Sequence, residues 1–131
     1  MEPSIFTRII NGEIPSHKVY EDERTLAFLD IHPSVPGHTL VVPKAQVSRF
    51  EELADEDYKA LFSSVKKVAA RMAEVFGADY RICLKVQGFD VPHVHVHVVA
   101  CRDADDFNKK EDMTSEPDHE ILADMAKTLA F

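Results

Sequence analysis

Residues 92–99 read Pro92-His93-Val94-His95-Val96-His97-Val98-Val99, which places three of the seven histidines within five positions. Side chains alternate across an extended strand, so His93, His95 and His97 are expected on one face and Val94, Val96 and Val98 on the other. The valine face belongs in a core. The other face sets three imidazoles in a row at intervals of about 6.6 Å, and an apolar interior accepts such a row only with partners. Three chemistries compete for it. One is structural: histidines hydrogen-bonded into the interior, the ordinary fate of a single buried imidazole. Another is a metal site, because two strand histidines two apart can share a zinc ion. Against it, there is no H-E-x-x-H, His97 stands where a His-x-His-x-Asp-His pattern needs aspartate, and no cysteine pair lies nearby. The third is nucleophilic catalysis by imidazole on an anionic substrate. An imidazole that attacks phosphorus must be neutral and held in one tautomer, and the non-bridging oxygens need donors. Alternate residues of one rigid strand supply both, which accounts for the number three.

The elements that must hold this row are readable from periodicity and turn residues. Ser4 is placed to cap a short helix in which Ile5, Phe6, Ile9 and Ile10 share a face, with Asn11-Gly12 as its stop. Lys18 to Glu21 and Thr25 to Asp30 read as a hairpin across Asp22-Glu23-Arg24. Pro33, Pro36 and Gly37 form a loop, Pro36-Gly37 suiting the centre of a type II turn, before the strand His38 to Val42 that Pro43 ends. A helix is expected from Asp55 to Phe76, with apolar residues at three- and four-residue steps and Gly77 as C-cap. Arg81 to Val86 and Val91 to Cys101 read as two strands joined around Gly88. A last helix runs from Pro117 to Leu129 and presents Ile121, Leu122, Met125 and Leu129. Short connections between the strands favour an antiparallel five-stranded sheet with helices packed on it, an α+β fold.

With 131 residues, 45% apolar and 29% charged, the chain is expected to form a single globular domain over 1–131. No apolar run exceeds four residues, so no membrane span is expected. The start, Met1-Glu2-Pro3-Ser4, lacks a cationic and apolar leader, and the protein reads as intracellular and cytoplasmic. Cys83 and Cys101 are too few and too far apart for a disulfide framework. A formal charge of −8 works against nucleic acid as a partner. The negative charge is concentrated in residues 103–120, which hold eight acids and two lysines; a run of this kind is ordinarily a solvated face.

Taken together, His93-Val94-His95-Val96-His97-Val98-Val99 resembles the signature of the histidine triad superfamily, three histidines alternating with apolar residues. The blocks Ser4 to Pro15, Leu26 to Ile31 and Pro36 to Lys44 are similar to those of its Hint branch, in the same order, so the resemblance covers about residues 4–101. The acidic loop and last helix, 102–131, match no block, although Asp105-Asp106-Phe107 is faintly similar to the segment after the Fhit triad. The resemblance implies a nucleotide hydrolase or nucleotidyltransferase acting at the α-phosphate of a purine nucleoside monophosphate conjugate, phosphoramidase-like, without a cofactor. His95 would attack phosphorus and form a nucleotidyl-imidazole that water hydrolyses. His93 would help orient it, and His97 would contact phosphate or leaving group. Asp30 would bind the ribose hydroxyls, and Ile5, Phe6, Ile9, Phe28 and Ile31 fall where the family builds its base pocket. A homodimer is implied in the same way.

The chain departs from the pattern in places. Many bacterial relatives hold a structural zinc on two cysteines, a histidine and the first triad histidine; here Ser4, Thr7 and Gln46 occupy the first three positions, so no metal is expected. Gln46 also replaces a histidine near the Hint active site. The loop Lys85 to Pro92 is shorter than usual, with Phe89 where glutamine and Asp90 where a phosphate donor are common. Asp90 would repel phosphate unless Lys85 or another cation compensates, which puts both among the nucleotide-binding candidates. Two alternatives stand beside the phosphoramidase-like reading: a dinucleoside polyphosphate hydrolase, against which Phe89 counts, and a non-catalytic adenine-nucleotide-binding module, motivated by Gln46 and Asp90.

Overall fold

Ser4 opens the structure as a helix cap: its hydroxyl accepts the Thr7 N–H at 3.0 Å, satisfying one of the orphan donors of α1 (Ile5–Ile10). The computed structural model describes residues 2–131; Met1, the first residue of the stretch read as leaderless, lies outside the described residues. The hairpin follows as β1 (Lys18–Glu21) and β2 (Thr25–Leu29), then β3 (Thr39–Pro43), a single 3-10 turn at Phe50–Glu52, and α2 (Asp55–Phe76). After β4 (Arg81–Gln87) and β5 (His95–Cys101) come α3 (Ala104–Asn108) and α4 (His119–Leu129). All five strands form one antiparallel sheet in the order β1-β2-β3-β5-β4, the α+β arrangement expected.

Register decides what each face carries. Phe28 pairs with Leu40, Leu40 with His97, and His97 with Lys85, so these four side chains cross the sheet as one row on one face. The adjacent row, Ala27, Val41, Val96 and Val86, belongs to the opposite face. That second face is covered by Leu61, Val65, Val68 and Met72 of α2 and by Leu122, Ala126 and Leu129 of α4, forming the main core. On the first face a smaller cluster gathers Phe6 of α1 with Leu26, Phe28, Leu40 and Val42, and leaves the rest of that face open.

Strand ends shift by a residue, with β2 stopping at Leu29, β3 running Thr39–Pro43 and β4 reaching Gln87, and three differences are larger. β5 begins at His95 and not at Val91: the β4 ladder ends at the Gln87–His95 pair, while the His93 N–H bonds the Val91 carbonyl at 2.8 Å and the Val94 N–H bonds the Val47 carbonyl at 2.8 Å. His93 therefore lies in a bend and not on the strand. The acidic stretch contains the additional helix α3, capped by the Asp103 carboxylate accepting from the Asp106 N–H. Finally, α4 starts at His119 on an Asp118 cap, two residues beyond Pro117. Among the described residues no helix is long and apolar enough to cross a membrane.

Candidate active site

The open part of the first face is a cleft of about 670 Å³. Its floor is the cross-strand row Phe28, Leu40, His97 and Lys85, extended by His95. Ile5, Phe6 and Ile9 of α1 close one side together with Ile31, and Asp30 stands where β2 runs into the following loop. Asp90 and residues 107–111 complete the wall. Every residue expected at the site thus lines the cleft except His93, which is fully buried behind it.

The backbone carbonyl of His93 nevertheless orients the central histidine. It lies 2.7 Å from His95 Nδ1; a carbonyl only accepts, so Nδ1 carries the proton and Nε2 keeps its lone pair. The Phe6 ring meets the His95 ring edge-on at 4.9 Å between centroids and limits its rotation. His97 has the opposite tautomer. The Ser34 N–H donates to His38 Nδ1 at 3.1 Å, so the His38 proton is on Nε2, which lies 2.8 Å from His97 Nδ1. His97 Nδ1 therefore accepts, and its Nε2–H is a buried donor with no protein partner among the described residues. Burial, then the neighbouring His38 and His95 rings, push His97 down to about 4, so this donor is neutral at physiological pH. Burial lowers His38 as well, against the pull of Asp30.

His38 is a site residue that the sequence reading did not single out. The available signal was its alternation with Leu40 and Val42 on the cavity face of β3. Glu111 is the second such residue: its Oε1 lies 3.8 Å from His38 Nε2, as does Asp30 Oδ2. Burial, then a hydrogen bond shared with Asp30 and the nearby Asp90 charge, raise Glu111 to about 8. Lys85 makes no ion pair among the described residues and lies over the Phe107 ring at 4.7 Å.

His93 itself joins Ser4, Thr7 and Gln46 in a closed network. Its Nε2–H donates to the Pro43 carbonyl at 2.8 Å, so Nδ1 accepts from the Ser4 hydroxyl at 2.7 Å. The Thr7 hydroxyl donates to Gln46 Oε1 at 2.6 Å, the Ser4 N–H donates to the same oxygen at 2.8 Å, and Gln46 Nε2 donates to the Glu2 carbonyl. The structure does bring together Ser4, Thr7, Gln46 and His93, the four positions where the resemblance puts a zinc site in relatives. Their donors here are two hydroxyls, a neutral amide and a histidine nitrogen already bonded, with no thiolate or carboxylate, and this set does not fit zinc. It fits a hydrogen-bonded clip between α1, the end of β3 and the bend before β5.

Comparison with known proteins agrees with the geometry. A profile of the HIT domain matches residues 11–104. The chain is 46% identical over 98 residues to an uncharacterized HIT-like protein of Methanocaldococcus jannaschii, which covers 72% of this chain and 76% of that one. Among solved structures it is similar to a HIT-like protein from Bartonella henselae described as involved in cell-cycle regulation (TM-score 0.80, 31% identity, 96% and 93% covered). A HIT family hydrolase from Clostridium thermocellum is also similar (TM-score 0.63, 33% identity, 79% and 94% covered). A sheet carrying alternate histidines into an open cleft, with this sequence similarity, defines the class: the chain belongs to the HIT, or histidine triad, family.

Proposed function

We propose that the protein is a nucleotide hydrolase or nucleotidyltransferase acting at the α-phosphate of a purine nucleoside monophosphate conjugate, with phosphoramidates as its substrate class. The observation that carries this reading is the His95 tautomer: Nδ1–H fixed on the His93 carbonyl, Nε2 free and facing the cleft. In this reading Nε2 attacks phosphorus, the bond from phosphorus to the leaving nitrogen breaks, that nitrogen takes up a solvent proton, which the later hydrolysis returns, and departs as the amine, and a nucleotidyl-His95 forms. The positive charge that develops on the ring is stabilised by the His93 carbonyl, the negative end of a fixed dipole 2.7 Å from Nδ1. Water then attacks phosphorus and returns Nε2 its lone pair, releasing the nucleoside monophosphate and a proton. His97 Nε2–H donates to a phosphoryl oxygen or the leaving atom as negative charge builds there. Asp30 takes the ribose, the apolar wall of Ile5, Phe6, Ile9, Phe28 and Ile31 takes the base, and Lys85 offsets Asp90 near the phosphate. The description of a similar HIT protein as a hydrolase supports turnover over mere binding.

A homodimer belongs to the same proposal. β4 is an edge strand that leaves Leu84 and Val86 exposed, which supports a second copy pairing along it.

Hydrolysis of adenosine 5′-phosphoramidate by wild type and His95→Ala, without added metal, tests the mechanism. Turnover by wild type and a loss of at least about 10³-fold in the variant are expected. Full turnover by His95→Ala overturns the assignment. Tight adenosine monophosphate binding with no turnover of phosphoramidate or dinucleoside polyphosphate would make the protein a binding module.

A further inference from the structure

Glu111 belongs to a run of acids whose ordinary place is solvated surface, yet its side chain is only 26% exposed and points into the cleft. The segment that carries it is anchored. Asp106 is buried and accepts from the Arg102 N–H at 3.0 Å and Arg102 Nε at 3.1 Å, with Lys109 Nζ at 3.3 Å, while Phe107 packs beneath Lys85. The result is a cluster in which one ligating atom each of Asp30, His38, His97 and Glu111 lies within 4.8 Å of the others.

We propose that Glu111 is the second carboxyl of a diol-binding pair with Asp30, so that the cleft selects a nucleotide carrying both ribose hydroxyls over its 2′-deoxy counterpart. This rests on the nucleotide reading above. Asp30 Oδ1 is already engaged by the His32 N–H at 2.9 Å, which leaves Oδ2 as the open oxygen. A vicinal diol brings two O–H donors. Asp30 Oδ2 accepts one, the Glu111 carbonyl oxygen accepts the other, and the Glu111 O–H donates to a ribose oxygen. Three hydrogen bonds thereby replace the approach of the two carboxyls to each other, whose oxygens lie within 4.8 Å. Because burial and Asp30 hold Glu111 neutral below about pH 8, the pair presents one negative charge and not two to an anionic ligand.

Calorimetric titration of adenosine monophosphate and its 2′-deoxy analogue into wild type, Glu111→Ala and Glu111→Gln tests this. Wild type is expected to prefer the ribonucleotide by about tenfold or more, the scale of one well-made hydrogen bond. In Glu111→Ala, ribonucleotide affinity falls by a similar factor while deoxynucleotide affinity barely moves, so the ratio collapses. Glu111→Gln keeps a donor and an acceptor and restores most of the ratio. An unchanged ratio in Glu111→Ala overturns the proposal, and so does tighter ribonucleotide binding, which would mean that the carboxyl competes with ribose for Asp30. A wild type that binds neither nucleotide overturns the nucleotide reading and this one together; binding by wild type with no effect of Glu111 overturns this one alone.

Discussion

Two imidazoles two residues apart carry opposite tautomers, and each is set by an atom with no choice of role. The His93 carbonyl can only accept, and the Ser34 N–H can only donate; the first leaves His95 Nε2 a lone pair, and the second, through His38, leaves His97 Nε2 a proton. A lone pair and a donor then face the same cleft. Under the proposed mechanism His38 is a positioning residue, and His38→Ala would free His97 to hold its proton on Nδ1 and aim a lone pair at the phosphate. Steady-state phosphoramidate kinetics should show kcat reduced about 10- to 100-fold with a smaller change in KM. His38→Gln, which keeps an N–H donor, should recover part of the loss. His95 and His97 were legible in the sequence because strand alternation is a local property. The placement of His38 ahead of an alternating run was legible, but its role was not, because its partner is 59 residues away.

Among the elements, a short polar link ties the first hairpin to α2. The β1–β2 turn is organised by Asp22, whose carboxylate accepts from the Arg24 and Thr25 N–H groups, the Thr25 and Ser64 hydroxyls and the Tyr20 hydroxyl. It thereby ties the hairpin to α2. Burial works to raise this carboxyl, but the donors outweigh it and hold the group at about 2. A folded value below the unfolded one stabilises above pH 3.8, and that contribution disappears as pH falls through about 2. Asp22→Ala should cost about 2–3 kcal/mol at neutral pH by denaturant unfolding, since it strands several partly buried donors. The difference from wild type should shrink in acid. The turn was legible as a turn; that one carboxylate gathers five donors depends on α2 crossing behind it. Ahead of β3, Gly37 is required at φ 82°, and a Cβ there would meet Phe76 Cζ at 2.8 Å. That turn sets where His38 enters the sheet.

Considered as a whole, the molecule packs one face of its sheet into the main core and leaves a cleft with buried titratable groups on the other, and the second is costly. Glu111 faces Asp30, His38, Asp90 and Lys85 across the cleft, and its folded value near 8 lies above its ordinary 4.5. A raised carboxyl contributes most below pH 4.5, and the contribution is lost progressively as pH rises to about 8. Glu111→Gln should therefore leave the protein near wild-type stability at pH 4.5 and make it more stable at pH 7.5. With the discount for partial exposure, roughly 2 kcal/mol is expected from denaturant midpoints at the two pH values.

The Ser4 cap, the hairpin, α2 from Asp55 to Phe76, and the alternation of His95 and His97 with valines all follow from periods of a few residues, whereas α3 and the bend at His93 do not. Tertiary structure decided the rest, because hydrogen-bond partners and burial depend on which strands become neighbours. Placing β3 beside β5 gave His97 its His38 partner. Docking α1 against the bend before β5 turned His93 from a member of the histidine row into part of a clip with Ser4, 89 positions away. Folding the acidic stretch back over the cleft took Glu111 out of solvent and set it against Asp30. No local pattern encodes these juxtapositions, since each is formed by residues whose separation in the chain far exceeds the period of any helix or strand.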